Sequence, residues 1–117
     1  MKHLRNISLK DYCTYRIGGV ARDVYFPENP DEMAGIVRLH RSEGRPFWIH
    51  GGGANTLFPD DEVLLPIIST SEMKAMRHED DAVFAEAGKI MDAWVLECLR
   101  EGLGGIECLS GIPGTLG

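Results

Sequence analysis

The residues best suited to chemistry form one uninterrupted stretch, His50-Gly51-Gly52-Gly53-Ala54-Asn55-Thr56-Leu57. Its three consecutive glycines remove every Cβ from one turn. Glycine takes positive φ and lets another group come close to the main chain. Successive N–H groups in such a turn can converge into an anion-binding concavity. Asn55 and Thr56 add a side-chain amide and a hydroxyl at the same place. The chemistry this predicts is the grip of a diphosphate, as carried by a dinucleotide cofactor. A hydrogen bond to a charged group contributes roughly 1.5–3 kcal/mol net, so a few of them would anchor a diphosphate without a lysine. Read from the glycines alone, an ordinary tight turn between two strands fits equally well.

Two better-known phosphate loops do not fit. A P-loop ends in Gly-Lys-Ser/Thr, and no such run is present. A Rossmann fingerprint must open a helix. Here the last glycine position holds Thr56, and Leu57-Phe58-Pro59-Asp60-Asp61 follows, with a proline just inside. The anion would be held by a loop, without a helix dipole.

Other polar residues carry weaker signals. Arg16, in Thr14-Tyr15-Arg16-Ile17-Gly18-Gly19, could reach an anionic ligand, or be a solvated arginine before a turn. Glu79-Asp80-Asp81 reads as a solvated hairpin tip, His40 as the rim of a helix face, and Trp94 and Cys98 as core. Cys13, Cys98 and Cys108 are widely spaced and show no Cys-x-x-Cys or Cys/His ligand pattern, which argues against zinc.

The chain of 117 residues suits one domain or a pair of small subdomains. A formal net charge of −6 argues against a nucleic-acid surface, which needs a basic stripe. The N-terminal residues lead into no apolar run, so no signal peptide is expected. No run approaches the ~18 apolar residues of a membrane span. With the unpaired cysteine count, this predicts a protein of a reducing cytoplasm, away from membranes. The 14 glycines exceed the usual share. They concentrate at Gly18-Gly19, at Gly51 to Gly53 and from Gly102 to Gly117, where ligand contacts are sought.

Strand and helix signals surround these clusters. Residues 1–12 show no period and read as an irregular lead-in or a helical turn. Val24-Tyr25-Phe26 reads as a strand ended by Pro27. Asn29-Pro30-Asp31-Glu32 opens a helix, with an asparagine N-cap, proline at N1 and glutamate at N3. Met33, Ile36, Val37 and His40 form its apolar face, and Gly44 closes it. Pro46-Phe47-Trp48-Ile49 reads as a buried strand running to His50, parallel to the first, so that the glycine loop leaves its C-terminal end. Val63 to Ser69 is another strand, with Pro66 marking an edge or a bulge. Met73 to His78 and Ala82 to Ala87 form a hairpin, and Met91, Trp94, Val95, Cys98 and Leu99 the stripe of a second helix ending at Gly102. The remainder, to Gly117, has no period and reads as an ordered, ligand-contacting loop or the start of an unfinished subdomain; truncation is expected.

Three motifs occur in order: Thr14-Tyr15-Arg16-Ile17-Gly18-Gly19, His50 to Leu57, and Gly102-Leu103 to Glu107 continuing into Ser110-Gly111-Ile112-Pro113-Gly114-Thr115-Leu116-Gly117. Together they resemble the MurB family, the FAD-dependent UDP-N-acetylenolpyruvoylglucosamine reductases of peptidoglycan synthesis. The resemblance implies an α+β (α/β-like) FAD-binding domain of the vanillyl-alcohol-oxidase/MurB type. Subdomain 1 would span residues 1–70 and an incomplete subdomain 2 residues 71–117. It implies non-covalent FAD, with NADPH as hydride donor and a UDP-sugar substrate in the longer enzyme. Gly51, Gly52, Gly53, Ala54, Asn55, Thr56 and Leu57 match the diphosphate loop. Ser110, Gly111, Ile112, Pro113, Gly114 and Gly117 match a second FAD-contacting segment. Tyr15 and Arg16 match a motif near the flavin.

The chain departs from the pattern in places. Ala54 stands where serine is usual, and Thr56 where leucine is. The family's proton donor, its helpers and its substrate domain come from later chain, so no residue here is assigned a catalytic role. Glu107 belongs to the motif but is expected to hydrogen-bond loop backbone. A fragment of another flavin oxidase, or a non-enzymatic MurB-like cofactor-binding module, are the alternatives. A half-built second subdomain would expose apolar surface and invite self-association.

Overall fold

The structure, a computed structural model, describes residues 1–117. Its first half is a four-stranded sheet. Strand β1 is Lys2–Ser8, β2 is Val20–Phe26, β3 is Trp48–His50 and β4 is Ile67–Ser69; the order is β1-β2-β4-β3. β1 runs antiparallel to β2, while β2, β4 and β3 are mutually parallel. The lead-in is therefore a strand, not an irregular segment. Its only partly buried positions, Leu4 and Ile7, are three apart, so no two-residue alternation marked it. Pairing with β1 also starts β2 at Val20, ahead of the apolar run at Val24.

Helix α1, Pro30–Ser42, connects β2 to β3. The Asn29 side chain accepts the N–H of Glu32 at 3.0 Å, the predicted cap. Gly44, at φ +62, donates its N–H to the Arg41 carbonyl just beyond the helix. The register places Tyr25 and Ile68 on one sheet face, and Val24 and Ile67 on the other. α1 covers the first face, where the His40 ring packs edge-on to Tyr25 at 5.7 Å and against Phe47 at 5.8 Å. His40 is thus buried rather than on the rim, and both its ring nitrogens lack a partner. The opposite face carries the main core: Leu9, Cys13, Ala21, Val24, Phe26, Phe58, Val63 and Ile67.

Two strand assignments change. β3 is an edge strand rather than a buried one, and Trp48 and Ile49 are 41% and 59% exposed. β4 is internal rather than an edge: it lies between β2 and β3, and Pro66 stands just ahead of it. A parallel bridge joins Ala21 to Val63, and pairing resumes at Val24 with Ile67. The Val63 side therefore holds one residue more than β2 over this interval, the bulge that Pro66 signalled.

The second half is smaller. β5, Met76–Glu79, and β6, Ala82–Ala85, form a hairpin turning at Asp80-Asp81. Helix α2, Met91–Arg100, follows, with Val95 and Cys98 fully buried, Trp94 half-buried and Leu99 43% exposed. No helix is long and apolar enough to cross a membrane.

Candidate functional site

The glycine loop leaves the C-terminal end of β3, and no helix follows it. The register puts His50 on the same sheet face as Trp48, the face of the main core. Its ring lies 5.0 Å from that of Phe58, and Nε2 is 2.9 Å from the Tyr12 carbonyl oxygen. Burial holds the imidazole pKa below the usual histidine value, with the Tyr12 bond as a smaller opposing effect.

The first motif packs directly under the loop. The Thr14 N–H donates to the Gly53 carbonyl at 3.0 Å. Gly53 has φ +73, and a Cβ there would lie 2.1 Å from the Tyr12 oxygen and 2.8 Å from Cys13 Cα. Glycine is required at this position by both conformation and close approach. Further along, the Gly19 N–H donates to the Pro59 carbonyl at 2.8 Å. Residues 12–19 thus grip the segment from Gly53 to Pro59 at both ends. Tyr15 and Arg16 sit on the intervening turn with exposed side chains, and Arg16 adopts φ +54.

The third motif reaches the loop from the other side. Residues 114–117 run antiparallel to residues 87–91, through Leu116 N–H to Lys89 O, Gly117 N–H to Ala87 O and Met91 N–H to Gly114 O. This places Thr115 over the glycines: a Cβ at Gly52 would meet Thr115 Cγ2 at 3.0 Å, and one at Gly51 would meet Oγ1 at 3.4 Å. A Cβ at Gly114 would lie 3.4 Å from that of Ala54. Earlier in this segment the amides turn inward. The Asp92 carboxylate accepts the Gly111 N–H at 2.7 Å and the Ser110 hydroxyl at 3.4 Å. Glu107 accepts the Gly105 N–H at 2.8 Å, the backbone role expected of it. Ile112 and Pro113 are exposed.

The property that matters for an anion is which N–H groups remain available. No backbone carbonyl takes the N–H of any residue from Gly51 to Leu57. The main-chain N–H groups accepted by side chains belong to Glu28, Glu32, Ser71, Ala75, Gly105 and Gly111, none of them in this loop. Gly114 and Thr115, which face the loop, likewise donate to no carbonyl. Residues 54–55 do form a turn, yet none of the loop's N–H groups makes a backbone hydrogen bond of good geometry. These free donors, in a loop held from below by residues 12–14 and walled by Thr115, fit the polyanionic bridge of a dinucleotide. No group of three or more His, Cys, Asp or Glu side chains is placed to hold a metal ion.

The structure therefore gathers all three motifs around one loop. It also adds residues that the motifs did not single out as contacts: Thr115 against the glycines, Tyr12 and His50 beneath them, and Asp92 behind Gly111. His50 carried a prior signal in its position at the strand end and Thr115 in its place within the third motif; Tyr12 and Asp92 carried none.

Known proteins agree with this arrangement. The family of FAD binding domains matches residues 21–117. A UDP-N-acetylenolpyruvoylglucosamine reductase of Caldicellulosiruptor saccharolyticus is 35% identical over 117 residues, all of this chain but 38% of that relative. The crystal structure of the MurB of Thermus caldophilus superposes with a TM-score of 0.71 at 30% identity, covering 99% of this chain and 39% of that one. CrmK, a flavoenzyme of caerulomycin biosynthesis, superposes with a TM-score of 0.69 at 15% identity over 86% of this chain and 22% of its own; that likeness speaks for the fold alone. The α+β architecture, the loop of free amides and the match over residues 21–117 converge on one conclusion: this chain belongs to the FAD binding domain family, and its cofactor is FAD.

Proposed function

We propose that these residues are the FAD-binding portion of a MurB-type reductase. Such an enzyme reduces UDP-N-acetylenolpyruvoylglucosamine to UDP-N-acetylmuramate with NADPH, in the peptidoglycan synthesis of the bacterial cytoplasm. The likeness to relatives bearing that name supports this reading, and those relatives are bacterial. The chain spans 38% of the first of them, so the whole enzyme's reaction, substrate and hydride donor are proposed from likeness. The observation that carries the binding role is the run of undonated N–H groups from Gly51 to Leu57.

In this reading the main-chain amides of Gly51 to Thr56 hold the diphosphate. Asn55 and Leu57 continue the same loop, Gly114 faces it, the segment of Ser110 to Pro113 and Gly117 supplies further contacts to the cofactor, and Tyr15 and Arg16 border the site. The division into a first subdomain over 1–70 and a second over 71–117 is supported by the two separate sheets. When bound, the flavin supplies the redox chemistry; the protein supplies position and electrostatics. None of these side chains is assigned to proton transfer.

The test is addition of FAD to the folded chain, followed by flavin absorbance and fluorescence. A perturbed flavin spectrum that saturates is expected. A chain with native circular dichroism that leaves the FAD spectrum unchanged contradicts the reading.

A further inference from the structure

The imidazole of His50 is not needed to make a strand end, yet it is buried and aimed at one atom. That atom is the Tyr12 carbonyl oxygen, 2.9 Å from Nε2. A carbonyl can only accept, so Nε2 must carry the proton. Desolvation favours the neutral ring, which leaves Nε2–H as the tautomer and Nδ1 without a proton. The same Tyr12 oxygen is the atom that a Cβ at Gly53 would strike, and two residues on, Thr14 donates to the Gly53 carbonyl. The His50 backbone is fixed as well, because its carbonyl accepts the Thr70 N–H at 2.8 Å. One side chain thus ties the support segment, Tyr12 to Thr14, to the strand from which the glycine loop departs.

We infer that His50 is a positioning residue for the cofactor loop: its Nε2–H holds the Tyr12 carbonyl so that residues 12–14 press Gly53 into its left-handed turn and keep the Gly51 to Thr56 amides directed at FAD. This rests on the binding role proposed above and deepens it. A hydrogen bond that aligns the loop, without touching the ligand, affects affinity through the population of the aligned form.

Two variants and one measurement on the unaltered chain test it. His50→Phe keeps an aromatic ring against Phe58 but has no donor. His50→Gln offers an amide N–H near the Nε2 position. FAD affinity by flavin fluorescence is read beside the melting temperature of the ligand-free chain. His50→Phe is expected to bind FAD about tenfold more weakly, the upper range for one hydrogen bond, with His50→Gln within about threefold of the original. Long-range 1H–15N NMR of the unaltered chain should show the Nε2–H tautomer. Equal affinity of His50→Phe and the original, equal weakening in both variants, or an Nδ1–H tautomer would overturn the inference. Should His50→Phe not fold, the glutamine variant and the tautomer decide it. An unaltered chain that ignores FAD would instead refute the binding role, while the tautomer would still report on the Tyr12 contact.

Discussion

The chain has two glycine-rich loops, and they use their main chain in opposite ways. Between Gly51 and Leu57 no N–H makes a hydrogen bond of good geometry within the protein. Between Gly105 and Gly117 most do: Glu107 takes Gly105, Asp92 takes Gly111, and carbonyls of Leu109, Lys89 and Ala87 take Ile112, Leu116 and Gly117. Both stretches look alike as sequence. The difference lies in the acceptors nearby. The second loop carries Glu107 within it and lies against Asp92 of α2, whereas the first contains no carboxylate before Asp60. Glycine content therefore marks where the backbone must bend or be approached. The absence of a competing acceptor marks where it can bind an anion. Within the second loop the N–H groups of Ile106, Glu107, Cys108, Gly114 and Thr115 stay free, and of these Gly114 and Thr115 face the first loop.

The largest expected effect separates the two uses of glycine. Gly53→Ala places a Cβ 2.1 Å from the Tyr12 oxygen in a left-handed turn. Gly105→Ala meets a similar conformation, φ +96, but nothing within 4 Å. The backbone conformation alone costs about 1–3 kcal/mol in either variant. Urea denaturation should show Gly53→Ala losing clearly more than Gly105→Ala, together with all measurable FAD binding. Equal losses would mean that close approach to Tyr12 does not shape the loop.

Next in size is removal of an acceptor from the second loop. Asp92→Ala frees the Gly111 N–H and costs about 1 kcal/mol, the typical worth of an exposed bond of this kind. Amide hydrogen exchange should accelerate at Gly111 while the Gly51 to Leu57 amides, already free, keep their rates. A change confined to the first loop would break the comparison.

Restoring a hydroxyl to the first loop is a gentler change. Ala54→Ser adds one donor toward the bound anion, and should tighten FAD by about 0.5–1.5 kcal/mol, read by fluorescence titration. Even a Cβ built on Gly114 would lie 3.4 Å from the Ala54 Cβ, so the glycine itself leaves room on that side. Weaker binding would show that the side chain at 54 faces away from the diphosphate.

The smallest effect is on pH dependence. His50 has a folded-state pKa below its ordinary value because its ring is desolvated. As pH falls below about 6.5, the unfolded chain takes up this proton before the folded one does. The contribution of His50 is therefore complete above that pH and is lost as pH falls toward the folded value. His50→Gln should flatten this acid limb of the stability curve, measured by urea midpoints between pH 7 and pH 5. No position in the second loop should do so, since that loop contains no histidine.

Local signals were legible where one residue does one job. Asn29 caps α1, Gly44 ends it, and Glu107 bonds to loop backbone, all as their types dictate. The three motifs around the site could be read in order for the same reason. What could not be read depends on partners distant in the chain. β4 inserts between β2 and β3, a choice made by the sheet as a whole rather than by Ile67 to Ser69. Trp48 and Ile49 are as apolar as any buried strand, yet lie at an edge. His40 looks like a rim residue by composition, but Tyr25 and Phe47 enclose it. Asp92 sits 19 positions before the amide it accepts, so nothing local announced it.

The central claim is that free main-chain amides of the first loop hold the diphosphate of FAD. The most direct measurement is a 1H–15N NMR titration of the 15N-labelled chain with FAD and, separately, with riboflavin, which has the same ring system and no phosphate. The account predicts that FAD shifts the Gly51 to Thr56 amide resonances strongly and riboflavin leaves them in place. Equal shifts with both ligands, or FAD shifts confined to Gly105 and Gly111, would contradict it.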